Sequence, residues 1–336
     1  MKLNYLNNLN ECPVCQSKHI SFFVEENWAD RRELFKLLEL SYSNSKWYLC
    51  LNCTHLFLNP IFSENIEKRL YSGEGIYRRW SMLNFDNEDE YAKTIDNTIF
   101  TGKVHYNHNK LVKKLKRITE GKIKKVLDFG CGFGAAQNAF LKNDFDYLGF
   151  ETDEWSNKFA NKIGRQNITS NFDFVQKEKI DLIYTYQVFE HISKPNNVFL
   201  FLKKFFQKDT LFFINVPTVD FNLFKLKNLT KKGIEGMNWA HYHSYSYKSL
   251  KCLLIRNGFK IKNSWLDNGH LNILGKFSQK KQLNLNTNSF YFSKNEFFLQ
   301  KFKFLFLKNF LAPFIGLPIE HIKRLIIKIK NILIKK

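Results

Sequence analysis

An α/β fold is predicted, with a mostly parallel sheet behind a small metal-binding module at the N-terminus. Three observations carry this. Short apolar runs alternate with amphipathic stretches across residues 119–280, the pattern of strand–helix repeats in a parallel sheet. One strand–helix junction carries three glycines, in Gly130-Cys131-Gly132-Phe133-Gly134. Four of the six cysteines fall into two Cys-x-x-Cys knuckles before residue 60.

The elements follow in order. Lys125–Phe129 is a short apolar strand, and Ala135–Lys142 is the helix after the glycine turn. Tyr147–Glu151 is the next strand and Trp155–Ile163 the next helix. Ile180–Tyr186 is expected to be a strand of the buried type. Val198–Phe206 is expected to be helical and Thr210–Val216 a strand. Tyr247–Asn257 is a helix closed by Gly258, a residue that ends helices because it enters left-handed backbone freely. Phe259–Trp265 and Leu271–Phe277 are expected to close the sheet as an antiparallel pair. Four segments result: a metal module at 1–60, a helical connection at 61–118, the α/β domain at 119–280, and a basic amphipathic tail at 281–336.

The knuckles are Cys12-Pro13-Val14-Cys15 and Cys50-Leu51-Asn52-Cys53, separated by 34 residues. Each can place two thiolates on one tetrahedral ion, and together they make a closed four-cysteine site of structural type. Zn²⁺ is the expected ion. A redox disulfide and an iron–sulfur cluster are the alternatives. His55 is near enough to replace a ligand, but four thiolates make it unnecessary. Cys131 and Cys252 have no partner in the pattern and are expected to pack.

In the glycine loop, Asp128 lies near the strand end, ahead of the first glycine. Glycine lets the backbone turn tightly and approach a ligand closely. No Gly-Lys-Ser/Thr follows, so the loop does not fit a P-loop. Glu151 ends the next strand, 17 residues beyond Gly134. An acid at that position can accept both hydroxyls of an adenosine ribose.

These residues resemble the family of class I S-adenosylmethionine-dependent methyltransferases. Asp128 to Gly134 is similar to its D-x-G-x-G-x-G motif, and Asp181–Ile192 to its fourth strand with a Glu-His ending. Tyr245-Ser246-Tyr247-Lys248-Ser249-Leu250, running to Asn257-Gly258-Phe259, resembles its late helix. The resemblance covers about 160 residues and implies a Rossmann-like seven-stranded sheet with the last strand antiparallel. It implies that Gly130, Gly132 and Gly134 face the methionine part of S-adenosylmethionine and that Asp128 orients that end. It places Glu151 on the ribose and Gln187 beside the sulfonium, with Asp173 the candidate for the adenine. The second knuckle continues as Thr54-His55-Leu56-Phe57-Leu58-Asn59-Pro60, then Leu70-Tyr71. This resembles the zinc-binding module of sugar C-methyltransferases, which act on nucleotide-linked deoxysugars and use the module to help cover the substrate. Those relatives carry a further C-terminal domain where this chain has its basic tail.

Methyl transfer is an in-line displacement, so the protein must align the acceptor and, where needed, take its proton. Histidine suits that task because it titrates near neutrality. His241, in Trp239-Ala240-His241-Tyr242-His243, is the first candidate, and His243 lies in the same run. Ala240 stands where sugar C-methyltransferases commonly have Glu. Glu190-His191, just after the fourth strand, is the second cluster. Residues 217–240 are long for a connection and are expected to form a lid.

The formal charge of +21 raises nucleic acid or an anionic membrane as partners. Only nine of the 52 basic residues are Arg, and AT-rich codon usage alone would give such a bias. Methylation of nucleic acid is the alternative activity, and a non-catalytic scaffold the alternative class. Against nucleic acid, Thr185-Tyr186-Gln187-Val188 replaces the Asn/Asp-Pro-Pro-aromatic of amino-methylating DNA enzymes. A Pro-Cys nucleophile is also missing. A sugar or glycan intermediate of surface polysaccharide biosynthesis is the expected acceptor. From Lys294 to Lys336, Ile319, Ile322, Ile326, Ile329 and Leu333 recur at helical spacing among basic residues. Such a helix can lie on an anionic membrane. With no secretory signal and no long uncharged apolar run, a cytoplasmic location is expected, any contact with the inner membrane face being peripheral.

Overall fold

A computed structural model describes residues 6–278, except 27–31, 41–43, 73–74, 83–84, 98–101, 208, 219–228, 231–232, 235–240 and 268. Most of the expected lid, including Trp239 and Ala240, and the whole tail from 281 to 336 lie outside the described residues.

The N-terminal segment is built on three antiparallel strands, β1 (Ile20–Glu26), β2 (Ser45–Cys50) and β3 (Leu56–Leu58). Four helices occupy the connecting span: α1 (Glu64–Tyr71), α2 (Ile76–Met82), α3 (Glu88–Ile95) and α4 (Lys103–Ile118). The α/β repeat then starts with β4 (Lys125–Phe129), α5 (Gln137–Leu141), β5 (Asp146–Phe150) and α6 (Glu154–Lys162). It continues with β6 (Ile168–Thr169), α7 (Phe172–Gln176) and β7 (Leu182–Tyr186). A 3-10 turn at Phe189–His191 leads to α8 (Pro195–Leu202) and β8 (Leu211–Pro217). Then come β9 (His243–Ser244), α9 (Tyr247–Arg256), β10 (Phe259–Asp267) and β11 (His270–Phe277).

Seven strands form one sheet in the order β10-β11-β8-β7-β4-β5-β6. The pairs from β8 to β6 are parallel, and β11 runs antiparallel to both β8 and β10. This is the seven-stranded sheet the resemblance implied. The central strands are mostly apolar because both faces are covered, with Asp128, Thr185 and Asn215 the buried polar exceptions. On β7, Ile183 faces one core cluster while Leu182 and Tyr184 face the other. Each side chain of this kind, fully buried, contributes about 1.5–3 kcal/mol.

Local signals set the helix ends. Asp153 caps α6, its carboxylate accepting from Trp155 N at 3.2 Å and Ser156 N at 3.1 Å. Ser246 and Ser249 form a reciprocal cap at the start of α9. Helix α8 starts at Pro195 rather than Val198, since proline lacks the N–H that a first helical position leaves unused. It also ends earlier than expected, at Leu202.

The N-terminal strands are not a separate unit. Strand β9, far along the chain, joins them to give a four-stranded sheet in the order β9-β3-β2-β1. Cys12, Cys50, Cys53 and Phe57 share one buried cluster with Leu127 of β4 and with Leu250, Leu253 and Leu254 of α9.

Candidate functional site

In open α/β sheets, ligands bind beyond the carboxyl ends of the strands where strand order reverses. Here the chain runs outward from β4 to β5 and β6, then crosses back to β7 on the other side of β4. A cavity of about 390 Å³ lies at those ends. Phe129 and Gly130 follow β4 into it, Phe150 and Glu151 follow β5, and Gln187 and Val188 follow β7.

One end of the cavity holds the expected cofactor residues. Glu151 lines it, with Oε2 accepting from Gly132 N at 2.8 Å and Oε1 from Asp153 N at 3.0 Å. Two amides thus fix the carboxylate, and each oxygen keeps a lone pair for a hydroxyl. Burial raises its pKa, opposed by the Asp153 N–H and the Arg78 guanidinium. Gln187 also lines the cavity and holds a φ of 55°, uncommon for a residue with a side chain. Such strain, of order 1–3 kcal/mol, collects at functional sites.

The three glycines divide. Only Gly130 lines the cavity. Gly132, at φ 55°, leaves room for the Arg78 guanidinium, whose Nη2 would lie 2.9 Å from any Cβ there. At Gly134 a Cβ would meet Ile168 Cδ1 at 2.7 Å, so this glycine serves the packing of β6. Asp128 lies beneath the loop, buried, and accepts from the Tyr147 hydroxyl at 2.8 Å. Burial pushes its pKa up to about 7 despite that hydrogen bond. Asp173 is on α7 and is not among the cavity's lining residues.

The other end is aromatic and carries both acidic and basic side chains, among them Glu64, Glu67 and Lys68. Tyr71 and His191 both line the cavity and share a hydrogen bond of 3.1 Å between the phenol and Nδ1. Tyr77 packs 5.5 Å from the Tyr71 ring. His241 meets His191 edge to face, ring centres 4.8 Å apart. Glu190, His191 and His241 each bring a potential ligand atom within 4.8 Å of the others. Of these three only His191 lines the cavity. His243 is elsewhere: fully buried on β9, it bonds His55 and the Ile192 carbonyl.

Glu190 is 0% exposed, and neither carboxylate oxygen has a hydrogen-bond partner among the described residues. Burial pushes its pKa up to about 8. The folded chain then keeps a proton that the unfolded chain, at its ordinary 4.5, has lost. Stability therefore falls as pH rises from about 4.5 to about 8. Glu190→Gln should remove this slope. Its urea midpoint should exceed that of the wild type at pH 8, with the gap narrowing towards about pH 5. A gap independent of pH would mean that Glu190 is compensated by a cation.

The four cysteines of the two knuckles converge behind this end. Cys12 and Cys53 sulfurs are 3.7 Å apart, and Cys15 and Cys50 sulfurs 3.5 Å apart. Tetrahedral zinc with bonds of about 2.3 Å spaces its sulfurs about 3.8 Å apart, so the set fits that ion. Asn52 donates an N–H to Cys15 Sγ at 3.7 Å, the kind of outer bond that steadies a ligand thiolate. Burial pushes the Cys12 and Cys53 thiols up, while bonds from neighbouring thiols pull Cys15 and Cys50 down. Cys131 and Cys252 lie outside this set, in or against the apolar core.

Sequence patterns did not mark Arg78, Tyr71 or Tyr77 as site residues. They lie on α1 and α2, and only the docking of those helices over the strand ends brings them to the cavity.

Residues 104–263 match a family model described as a methyltransferase domain. No curated protein matches the chain. Among solved structures, the PH0226 protein from Pyrococcus horikoshii OT3 is 14% identical, with 55% of this chain and 95% of that one covered at a TM-score of 0.43. An S-adenosylmethionine-dependent methyltransferase from Clostridium acetobutylicum ATCC 824 is 11% identical, with 56% and 98% covered at a TM-score of 0.41. Another from Archaeoglobus fulgidus is 16% identical, with 55% and 99% covered at a TM-score of 0.39.

Proposed function

We propose that this chain, with its methyltransferase domain, transfers the methyl group of S-adenosylmethionine to a sugar or glycan intermediate, of the kind used to build surface polysaccharide. One observation carries the reading. Glu151, placed for a ribose, and the Tyr71–His191 pair, placed to handle a proton, line the same cavity. S-adenosylmethionine supplies a methyl carbon activated by positive sulfur. The chain's residues do the rest. Glu151 accepts the ribose hydroxyls, and Arg78, beside Gly130 and Gly132, meets the methionine carboxylate. Gln187 sits by the sulfonium. His191 takes the acceptor's proton as the new bond to carbon forms and the bond to sulfur breaks, while Tyr71 holds the imidazole in place. In this reading His191 ranks ahead of His241 as the group that meets the acceptor, supported by His191 lining the cavity while His241 packs against its ring.

The lining supports a small polar acceptor over nucleic acid. Glu64, Glu67, Glu151 and Asp153 are carboxylates at the cavity and would repel a phosphate backbone. With Arg78 on the methionine carboxylate, Lys68 is the lining cation left to meet one phosphate group of a sugar nucleotide. The four-cysteine set holds a structural Zn²⁺ in this reading, supported by the fit of its sulfur spacing.

Wild-type protein should bind S-adenosylmethionine in calorimetry, and Glu151→Ala should weaken binding by about 1–3 kcal/mol, the cost of leaving polar partners unpaired. No binding by the wild type would sink the reading. A screen of nucleotide sugars and lipid-linked glycans, against DNA and RNA, then tests the acceptor class.

No described helix is long and apolar enough to cross a membrane. The basic tail is proposed to touch an anionic membrane surface, each basic residue near it adding about 1 kcal/mol. Removing residues 294–336 should reduce binding to phosphatidylglycerol vesicles without changing cofactor affinity. Vesicle binding that survives the truncation would exclude the tail.

A further inference from the structure

We infer that His55 and His243 form a positioning relay that ties the second cysteine knuckle to the backbone carrying His191 and His241. The inference deepens the proposed function and rests on its assignment of those two histidines to the acceptor end.

The relay begins at the second knuckle. Cys50 N donates to His55 O at 2.8 Å, and Thr54 N to Cys50 O at 2.9 Å, so His55 is part of the metal loop's own turn. Its ring is fully buried, stacked on Phe57 and 4.8 Å from the Tyr245 ring. His55 Nε2 lies 3.1 Å from His243 Nδ1, and His243 Nε2 lies 2.8 Å from Ile192 O. A carbonyl oxygen only accepts, so His243 Nε2 carries a hydrogen. In neutral His243 the Nδ1 atom is then an acceptor, and His55 Nε2–H donates to it. The tautomers are fixed in series.

The far end of the relay stands beside both acceptor-side histidines. Ile192 follows His191 directly, and His243 is two residues after His241. The backbone between is clamped as well. Leu58 N of β3 donates to Tyr242 O at 2.9 Å, and Tyr242 N donates to Glu190 O at 2.7 Å. The register pairs His243 with Phe57 and Ser244 with Leu56. Thr54 Oγ1 and Ser246 Oγ bond at 2.7 Å on the far side. His241 thus stands two residues ahead of β9, on a segment held between the knuckle's sheet and the Glu190–His191 turn. The imidazole pair is the side-chain link that sets the spacing of those two segments, and so the contact of His191 with His241.

The test is spectroscopic and needs no acceptor. Protein labelled with ¹⁵N-histidine, with and without S-adenosylhomocysteine, reports the tautomer and titration of each ring. In the wild type, His55 and His243 should both show the Nε2–H form. In His55→Leu, which keeps bulk but loses the donor, the ring signals and titration midpoints of His191 and His241 should shift. One zinc per chain and S-adenosylhomocysteine affinity should stay as in the wild type. His55→Gln, which restores an N–H donor at the same distance from the backbone, should return both signals towards wild type. Unmoved His191 and His241 signals in His55→Leu would overturn the relay, as would loss of zinc or of cofactor binding, which would make His55 a folding residue only. Failure of the wild type to bind S-adenosylhomocysteine would instead sink the methyltransferase reading, and the ligand-free spectra would still decide the relay.

Discussion

His191→Ala lowers turnover of the acceptor by about 10²–10⁴-fold, the usual contribution of a positioned general base, and leaves S-adenosylmethionine affinity unchanged. The split follows from placement. In the proposed reading Glu151, Gly130 and Gln187, which line the cavity at the ends of β4, β5 and β7, serve the cofactor. His191 is on the turn after β7, at the cavity wall, with Nδ1 engaged by the Tyr71 hydroxyl and the ring presented to the cavity. Removing the ring takes away the proton acceptor without touching the ribose or methionine ends. Tyr71→Phe should lose less, since it frees the ring's orientation but keeps the base. His241→Ala is the comparison. If it abolishes turnover while His191→Ala does not, then His241 reaches the acceptor and His191 supports it. Single-turnover rates with an identified acceptor, beside calorimetric cofactor affinities, make the measurement.

The second large effect is on the fold. Cys15→Ser, or chelation of reduced protein, should release one zinc per chain and melt the four-stranded sheet as a unit. Structural zinc sites in small modules carry apparent binding free energies of about 10–16 kcal/mol at neutral pH, and that energy is folding energy. The loops that carry the cysteines depend on the ion most: Cys12, Val14, Cys50 and Cys53 are buried around it, while Phe23, Trp47, Leu49 and Phe57 give the strands an apolar core of their own. Because β9 belongs to the same sheet, the loss should spread to the His241 segment. The seven-stranded sheet has its own core on β4, β7 and β8 and should stay folded. Hydrogen exchange would show protection lost in residues 6–62 and 241–246 and kept in 123–150 and 182–217. Metal analysis finding no zinc in untagged reduced protein would remove the premise, and exchange protection unchanged by chelation would remove the conclusion.

Much of the architecture was legible in the residues because it rests on local signals. Apolar runs of strand length and Gly258 after α9 act over a few neighbours, and each stands where the pattern put it. The cysteine knuckles were legible for the same reason, since each places two sulfurs through one tight turn. Glu151 was found because a strand end and a glycine loop fix its position to within a residue.

Only the tertiary structure decided which distant segments meet. Arg78 reaches Gly132 across 54 positions of chain, and Tyr71 reaches His191 across 120. Strand β9 pairs with β3 and brings the His243 ring to His55, 188 positions away, which buries one of the candidate catalytic histidines away from the cavity lining. It decided too that Gly134 serves packing and that His191 faces the cavity with His241 behind it. Periodicity reports which face of an element is apolar, and motif spacing reports which turn it makes. Neither reports the partner of that face, because any apolar surface of the right shape would bury it equally well. The partner is set by the packing of the whole chain at once, and the acceptor end of this site is built from such meetings.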